Sequence, residues 1–212
     1  MSFPIQVRLF RLCRGSTVGS QEDRLDDKPD NAPVNALETL PGDLIMWVLI
    51  VSELLVFGAG LAAFLSVRIT DPSGFSLAQA RLSPTLAGIN TIVLITSGFL
   101  AARALNLRLQ ARRSAARWHL AGAGALGAVF MALKVDEYLE KAGEGISTET
   151  HPFFTFYYLL TGFHAAHILA GMVILALVAW KDDPGDMETG TAFWHMVDLV
   201  WVLLFPVIYL LG

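Results

Sequence analysis

The sequence has a single cysteine, Cys13, in 212 residues. An intrachain disulfide is therefore excluded, and a thiolate metal cluster or iron–sulfur centre would need more sulfur ligands. There is no Cys-x-x-Cys-His run, so c-type haem has no attachment point. Charge is scarce as well. Charged residues make up 16% and hydrophobic residues 54%, with a mean hydropathy of +0.54. A soluble domain carries about a quarter charged residues, so this chain has too few to cover a water-exposed surface. A basic excess is also missing. The net charge is −4 and the pI about 5.7, which gives no electrostatic case for nucleic acid. Residues 1–14 hold no uninterrupted apolar core, because Arg8, Arg11 and Arg14 break it up. A cleavable signal peptide is not expected.

What the sequence does have is long apolar runs. A bilayer core of about 30 Å needs about 20 apolar residues in a helix. Leu44–Val67, Pro84–Ala102, Trp118–Tyr138, Phe153–Trp180 and Thr191–Leu211 meet that requirement. Unpaired backbone groups are not tolerated in lipid, so each run must be helical. The expected fold is an all-α membrane protein, a bundle of five transmembrane helices over residues 44–212. Residues 1–43 read as a polar arm, dense in charge over Ser20–Asp30 and expected to be partly disordered. A short surface helix over residues 3–14 is the alternative for its first part.

Orientation follows from the arginines. Arg103, Arg108, Arg112, Arg113 and Arg117 lie between the second and third runs, five of the chain's 15 basic residues. Positive charge stays on the cytoplasmic side. The N-terminus is then expected in the cytoplasm and the C-terminus in the periplasm of a bacterial inner membrane.

Ionisable groups inside spans are expensive and are functional hypotheses by default. Glu53 is the tenth residue of its run, near mid-membrane. With no basic neighbour on its own helix, it must stay protonated or find a partner on another helix or in a lipid headgroup. Asn90, Thr161 and His164 are candidate partners. His164 and His167 share a helix face, as do His195 and Asp198. An imidazole N–H from His195 to Asp198 would satisfy both locally, bracing the fifth helix against the fourth. Glu137 falls near the outer end of the third helix, where water could reach it. Trp194 and Trp201 lie on a stripe suited to packing. Gly122-Ala-Gly-Ala-Leu-Gly127 matches a dinucleotide fingerprint in spacing, but no strand precedes it. Small residues at that spacing, and Gly58 and Gly60 near Glu53, instead suit close helix packing.

Several strings taken in order carry a resemblance. They are Ser52-Glu53, Asn90-Thr91, Ser97-Gly98 and Glu137-Tyr138, then Thr161-Gly-Phe-His164-Ala-Ala-His167-Ile-Leu-Ala-Gly171 and Trp194-His195-Met-Val-Asp198-Leu-Val-Trp201. Residues 41–212 resemble subunit III of cytochrome c oxidase, a haem-copper oxidase subunit. Common members have seven helices, and the first two have no counterpart here. The C-terminal string, with Leu204-Phe205-Pro206, is most similar to the five-helix NorE-type branch associated with nitric oxide reductase. The resemblance implies a non-catalytic accessory subunit with no catalytic or metal site and no cofactor of its own. It implies a partner subunit that holds haem and metal, and bound phospholipid. It also implies that Glu53 is the family's intramembrane carboxyl. Two other readings compete on the residues alone. One is a membrane metalloenzyme built from Glu53, Glu137, His164, His167, His195 and Asp198. The other is a proton-coupled transporter using Glu53.

Overall fold

The structure, a computed structural model, describes residues 44–181 and 183–211. The polar arm, with the surface-helix alternative for residues 3–14, lies outside the described residues. Among the described residues there is no strand. The helices are α1 (Leu44–Thr70), α2 (Pro72–Gln79), α3 (Pro84–Leu109), α4 (Arg113–Gly143), α5 (Pro152–Lys181) and α6 (Pro184–Phe205), and a π-helical turn, Pro206–Leu210, closes the described chain. Five helices are long and apolar enough to cross a membrane: α1, α3, α4, α5, and α6 with its π turn. The chain is a multi-pass membrane protein, as the apolar runs imply. The helices α3, α4 and α6 extend past their runs by more than a turn at one end or both, because helical pairing costs little where the chain leaves the apolar layer, whereas α1 and α5 nearly coincide with theirs.

Local sequence sets the helix starts. Proline opens α2, α3, α5 and α6, a position where its missing N–H is not needed. Asp71 and Asp183 cap α2 and α6 through their carboxylates, accepting from the backbone N–H groups of Gly74, and of Gly185 and Asp186. The short helix α2 has no counterpart among the expected spans, since eight residues are too few to register as an apolar run. It places Asp71 3.3 Å from His151 Nε2 at the start of α5. The Gly74 N–H and then His151 hold the Asp71 carboxyl below its ordinary range. Pro206 lacks the N–H that would continue the ladder of the last helix. In the structure α6 gives way there to the π turn, which re-pairs the backbone around the missing donor.

α6 is the centre of the bundle. Half of its apolar window is buried, against 11% for α1. It lies against α3, α5 and α1, while α3 packs along α4. Glycines admit its tryptophans. A Cβ on Gly127 of α4 would sit 2.8 Å from the Trp194 ring, and one on Gly171 of α5 would sit 2.7 Å from it. The fully buried Trp194 therefore fills a slot that only glycine leaves open, which is the close packing the Gly122–Gly127 spacing suggested. Gly124 of that string meets nothing. Gly60 admits Leu160, whereas Gly58 faces open space. Trp194 Nε1 donates to Ser97 Oγ at 3.1 Å, and Ser97 passes the bond to the Ala123 carbonyl at 2.7 Å. Trp201 Nε1 donates to Thr91 Oγ1 at 3.0 Å. These bonds replace the water that neither indole can reach.

Candidate functional site

The most heavily connected polar group is Lys134, which is 1% exposed. It is the twenty-second residue of α4, about 14 Å from the Gly143 end. Its ammonium donates to Glu137 Oε2 at 2.9 Å and to the Tyr209 hydroxyl at 2.6 Å. Tyr209, on the π turn, donates in turn to Glu137 Oε1 at 2.8 Å. The rings of Tyr138, Tyr157, Trp201 and Tyr209 surround the ammonium at 5.0–5.4 Å, close enough for cation–π attraction. Both carboxylate oxygens and the cation are thus satisfied inside the bundle. Glu137 was expected where water could reach it. It is only 4% exposed, because its helix face turns inward beneath the last turn of the chain.

Glu53 on α1 meets His167 on α5. Oε2 lies 3.1 Å from Nε2, with the side chains 24% and 16% exposed. The distance is that of an ion pair, but the angles are not those of a formed hydrogen bond. On its other side, His167 Nδ1 is 2.8 Å from the Phe163 carbonyl and must donate to it. Nε2 is then an acceptor when the ring is neutral. One proton completes the pair, carried either by the carboxyl or by the imidazole. Asn90, Thr161 and His164, the candidate partners from sequence, make no hydrogen bond to Glu53. Thr161 bonds Tyr157 and Tyr138, and Asn90 Nδ2 donates to the Phe130 carbonyl at 3.4 Å, tying α3 to α4.

His164 has no hydrogen bond at either nitrogen. It is fully buried, stacked on Trp201 at 5.2 Å and flanked edge-on by Phe130 and Phe57. The inter-helix hydrogen bond expected of it is replaced by ring contacts, which its helix phase dictates. His195 and Asp198 are neighbours without a bond, Nδ1 and Oδ2 being 4.0 Å apart. Asp198 turns toward Gly98 of α3, where its carboxylate occupies the space a Cβ would take. The Asp198 carboxylate thus packs against α3, and the hydrogen bond expected between His195 and Asp198 is not formed. Asp198 Oδ1 is buried without a partner. Among the described residues, no three His, Cys, Asp or Glu side chains converge as a metal site would require. Of the six residues of the metalloenzyme reading, Glu53 lies against His167 and His195 beside Asp198, while Glu137 is taken up by Lys134 and Tyr209.

Residues 42–212 match the sequence family described as cytochrome c oxidase subunit III. The chain belongs to that family. Cytochrome c oxidase subunit 3 of Thermostichus vulcanus is 33% identical over 178 residues, covering 77% of this chain and 84% of the relative. Cytochrome bo(3) ubiquinol oxidase subunit 3 of Pseudomonas putida is 24% identical over 177 residues, covering 78% and 84%. Heme-copper oxidase subunit I+III of Aeropyrum pernix is 30% identical over 185 residues, covering 78% of this chain and 22% of the relative.

Within this subunit III bundle, the sequence strings occupy defined places. The Thr161–Gly171 string supplies His164 to an aromatic box, His167 to Glu53 and Gly171 to Trp194. The Trp194–Trp201 string supplies two buried indoles to Ser97 and Thr91. The residue missed from sequence is Lys134. It looked like the polar end of a span, yet Lys134 and Glu137 stand three apart on one helix, the spacing of an intrahelical ion pair. Tyr209 carried no signal, because its role depends on the π turn.

Proposed function

We propose that this chain is a non-catalytic accessory subunit of a respiratory haem-copper oxidase or nitric oxide reductase complex. It stabilises the haem- and metal-carrying catalytic subunit, binds membrane phospholipid and supports aerobic or denitrifying electron transport. One observation carries the reading most directly. In Aeropyrum pernix the matching segment is part of a protein named heme-copper oxidase subunit I+III, so there the two subunits share one chain. The interior of the bundle supports it further. There Lys134, Glu137 and Tyr209 satisfy one another and His164 packs on rings, as befits a structural core. Bacterial quinol oxidases share the five-helix form with the nitric oxide reductase branch, so that branch rests on the C-terminal string ending Leu204-Phe205-Pro206.

A tagged chain solubilised in mild detergent, from membranes grown with oxygen or with nitrate, should recover a haem protein visible in its absorption spectrum. Recovery of none under either condition would remove the accessory reading. The growth condition that yields the complex identifies the electron acceptor.

The arginine turn between α3 and α4 supports a cytoplasmic N-terminus, a periplasmic C-terminus and residence in the bacterial inner membrane. Trp118 and Trp180, 76% and 82% exposed, mark the same end of the bundle as an interfacial belt. A cysteine in place of Arg112 should be shielded from an impermeant thiol reagent in intact cells, and one in place of Gly145 labelled. The inverse pattern would reverse the orientation.

A further inference from the structure

The connections from α1 to α3 and from α4 to α5 meet at the end of the bundle opposite the arginine turn. There His151 stands immediately before α5, and its carbonyl accepts from the Phe154 N–H at 2.9 Å. Its Nδ1 accepts from the Phe153 N–H at 3.1 Å. His151 is therefore the side-chain cap of α5. An accepting Nδ1 carries no proton, so the proton of the neutral ring is on Nε2. That nitrogen lies 3.3 Å from Asp71 Oδ2, the carboxylate that caps α2. One neutral imidazole thus ties the first turn of α5 to the first turn of α2. Phe75 of α2 meets the same ring edge-on at 5.3 Å.

The caps of α2 and α6 are carboxylates, from Asp71 and Asp183, and they accept for as long as they are ionised. An imidazole behaves differently. On protonation both nitrogens become donors and its only acceptor is lost. Nδ1–H would then face the Phe153 N–H, and the positive end of α5 opposes the new charge. Asp71 favours that charge. The pair is partly open to water, however, with side chains 25% and 51% exposed, where an ion pair gains little. Glu149 is the other ionisable side chain on the cavity that His151 lines, and Val67 of α1 and Thr155 and Phe156 of α5 share its wall.

We propose that His151 is a proton-operated clasp between α2 and α5: neutral, it caps α5 and donates to Asp71, and protonated, it keeps Asp71 but releases the first turn of α5. Through α2 the clasp fastens one end of α1, the least buried span. The proposal stands on this geometry alone and does not depend on the assembly reading above.

The measurement is amide exchange of the full chain in lipid nanodiscs, read over residues 152–158 and corrected for the intrinsic rate. It is made at about pH 8 and about pH 5, a window around the ordinary titration of histidine. Asp71 stays ionised across that window, because the Gly74 N–H and then His151 hold its carboxyl below the usual range. Protection of the α5 start should be present while the ring is neutral and fall roughly fivefold on acidification, the factor for one capping bond. The start of α3, which has no side-chain cap, should show no such step. His151→Asn caps without titrating, so it should stay protected at both pH values, and His151→Ala should be unprotected at both. Asp71→Asn should move the step to lower pH, because the second proton loses the carboxylate that faces it. The clasp is overturned if protection in the unmodified chain does not fall, or if His151→Asn shows the same step. An NMR spectrum of the labelled imidazole with the neutral ring protonated on Nδ1 would also overturn it.

Discussion

Two intramembrane ionisable pairs among the described residues are of opposite character. Lys134 and Glu137 lie in the interior, held by Tyr209 and enclosed by four aromatic rings. Glu53 and His167 lie between α1 and α5, partly exposed and joined by a single contact at 3.1 Å. The difference follows from where each helix sits. α4 and the end of α6 converge on Lys134 from several sides, whereas α1 is the least buried span. The interior pair is over-determined and suited to locking the end of the chain. The peripheral pair has one proton to share and room to share it. Depth in the bundle, and not charge alone, separates a structural pair from an adjustable one.

The sharpest way to break this comparison is Lys134→Met. It strands Glu137 in the core without its cation, and removing one partner of a buried pair costs about 3–5 kcal/mol. A large drop in the melting temperature of the detergent-solubilised chain is expected. The double change Lys134→Met, Glu137→Leu should recover part of it, because no uncompensated charge remains. A negligible drop from Lys134→Met would place the ammonium in water and dissolve the contrast.

The peripheral pair should respond less. Glu53→Ala leaves His167 Nε2 without its partner, an expected loss of about 1–3 kcal/mol, visible in the same melting experiment. Glu53→Gln should nearly preserve stability, because its amide can donate to Nε2 as a protonated carboxyl would. If Gln proves as damaging as Ala, the pair needs a charge on Glu53, and the shared-proton account is wrong.

Asp198 marks the low end of the scale. Its Oδ1 has no partner and His195 is 4.0 Å away, so Asp198→Asn should change stability by less than about 1 kcal/mol, within the range of an unmade bond. A larger loss would reveal a hydrogen bond that this carboxylate makes only in the assembled complex. Comparing melting of the free chain with that of the haem-bearing complex distinguishes the two.

Much of the fold was legible in the sequence because lipid imposes a simple rule. Apolar length sets a span, and backbone pairing makes each span a helix. Proline and aspartate at the starts of α2 and α6 are equally local signals. The candidate site was legible only in its membership. Glu53, His164, His167, His195 and Asp198 were conspicuous because each is polar in an apolar run. Their partners were not, because pairing between helices depends on rotational phase and depth, which no single helix encodes. Lys134 was hidden for a related reason: near the end of a run, a lysine reads as the boundary with water.

The sequence by itself determined the number of spans, their helical state, the arginine-rich turn between α3 and α4, and the strings that place the chain in the subunit III family. The spans, their helical state and the arginine-rich turn follow from composition over a window of one helix, and the family from the resemblance that the ordered strings carry. Only the tertiary structure decided that Lys134 closes on Glu137 and Tyr209, that Glu53 takes His167, that His164 sits unbonded among rings, and that His195 faces outward. These outcomes are set by side chains from different helices competing for the same interior space, where each glycine slot and each buried hydrogen bond settles which face turns in.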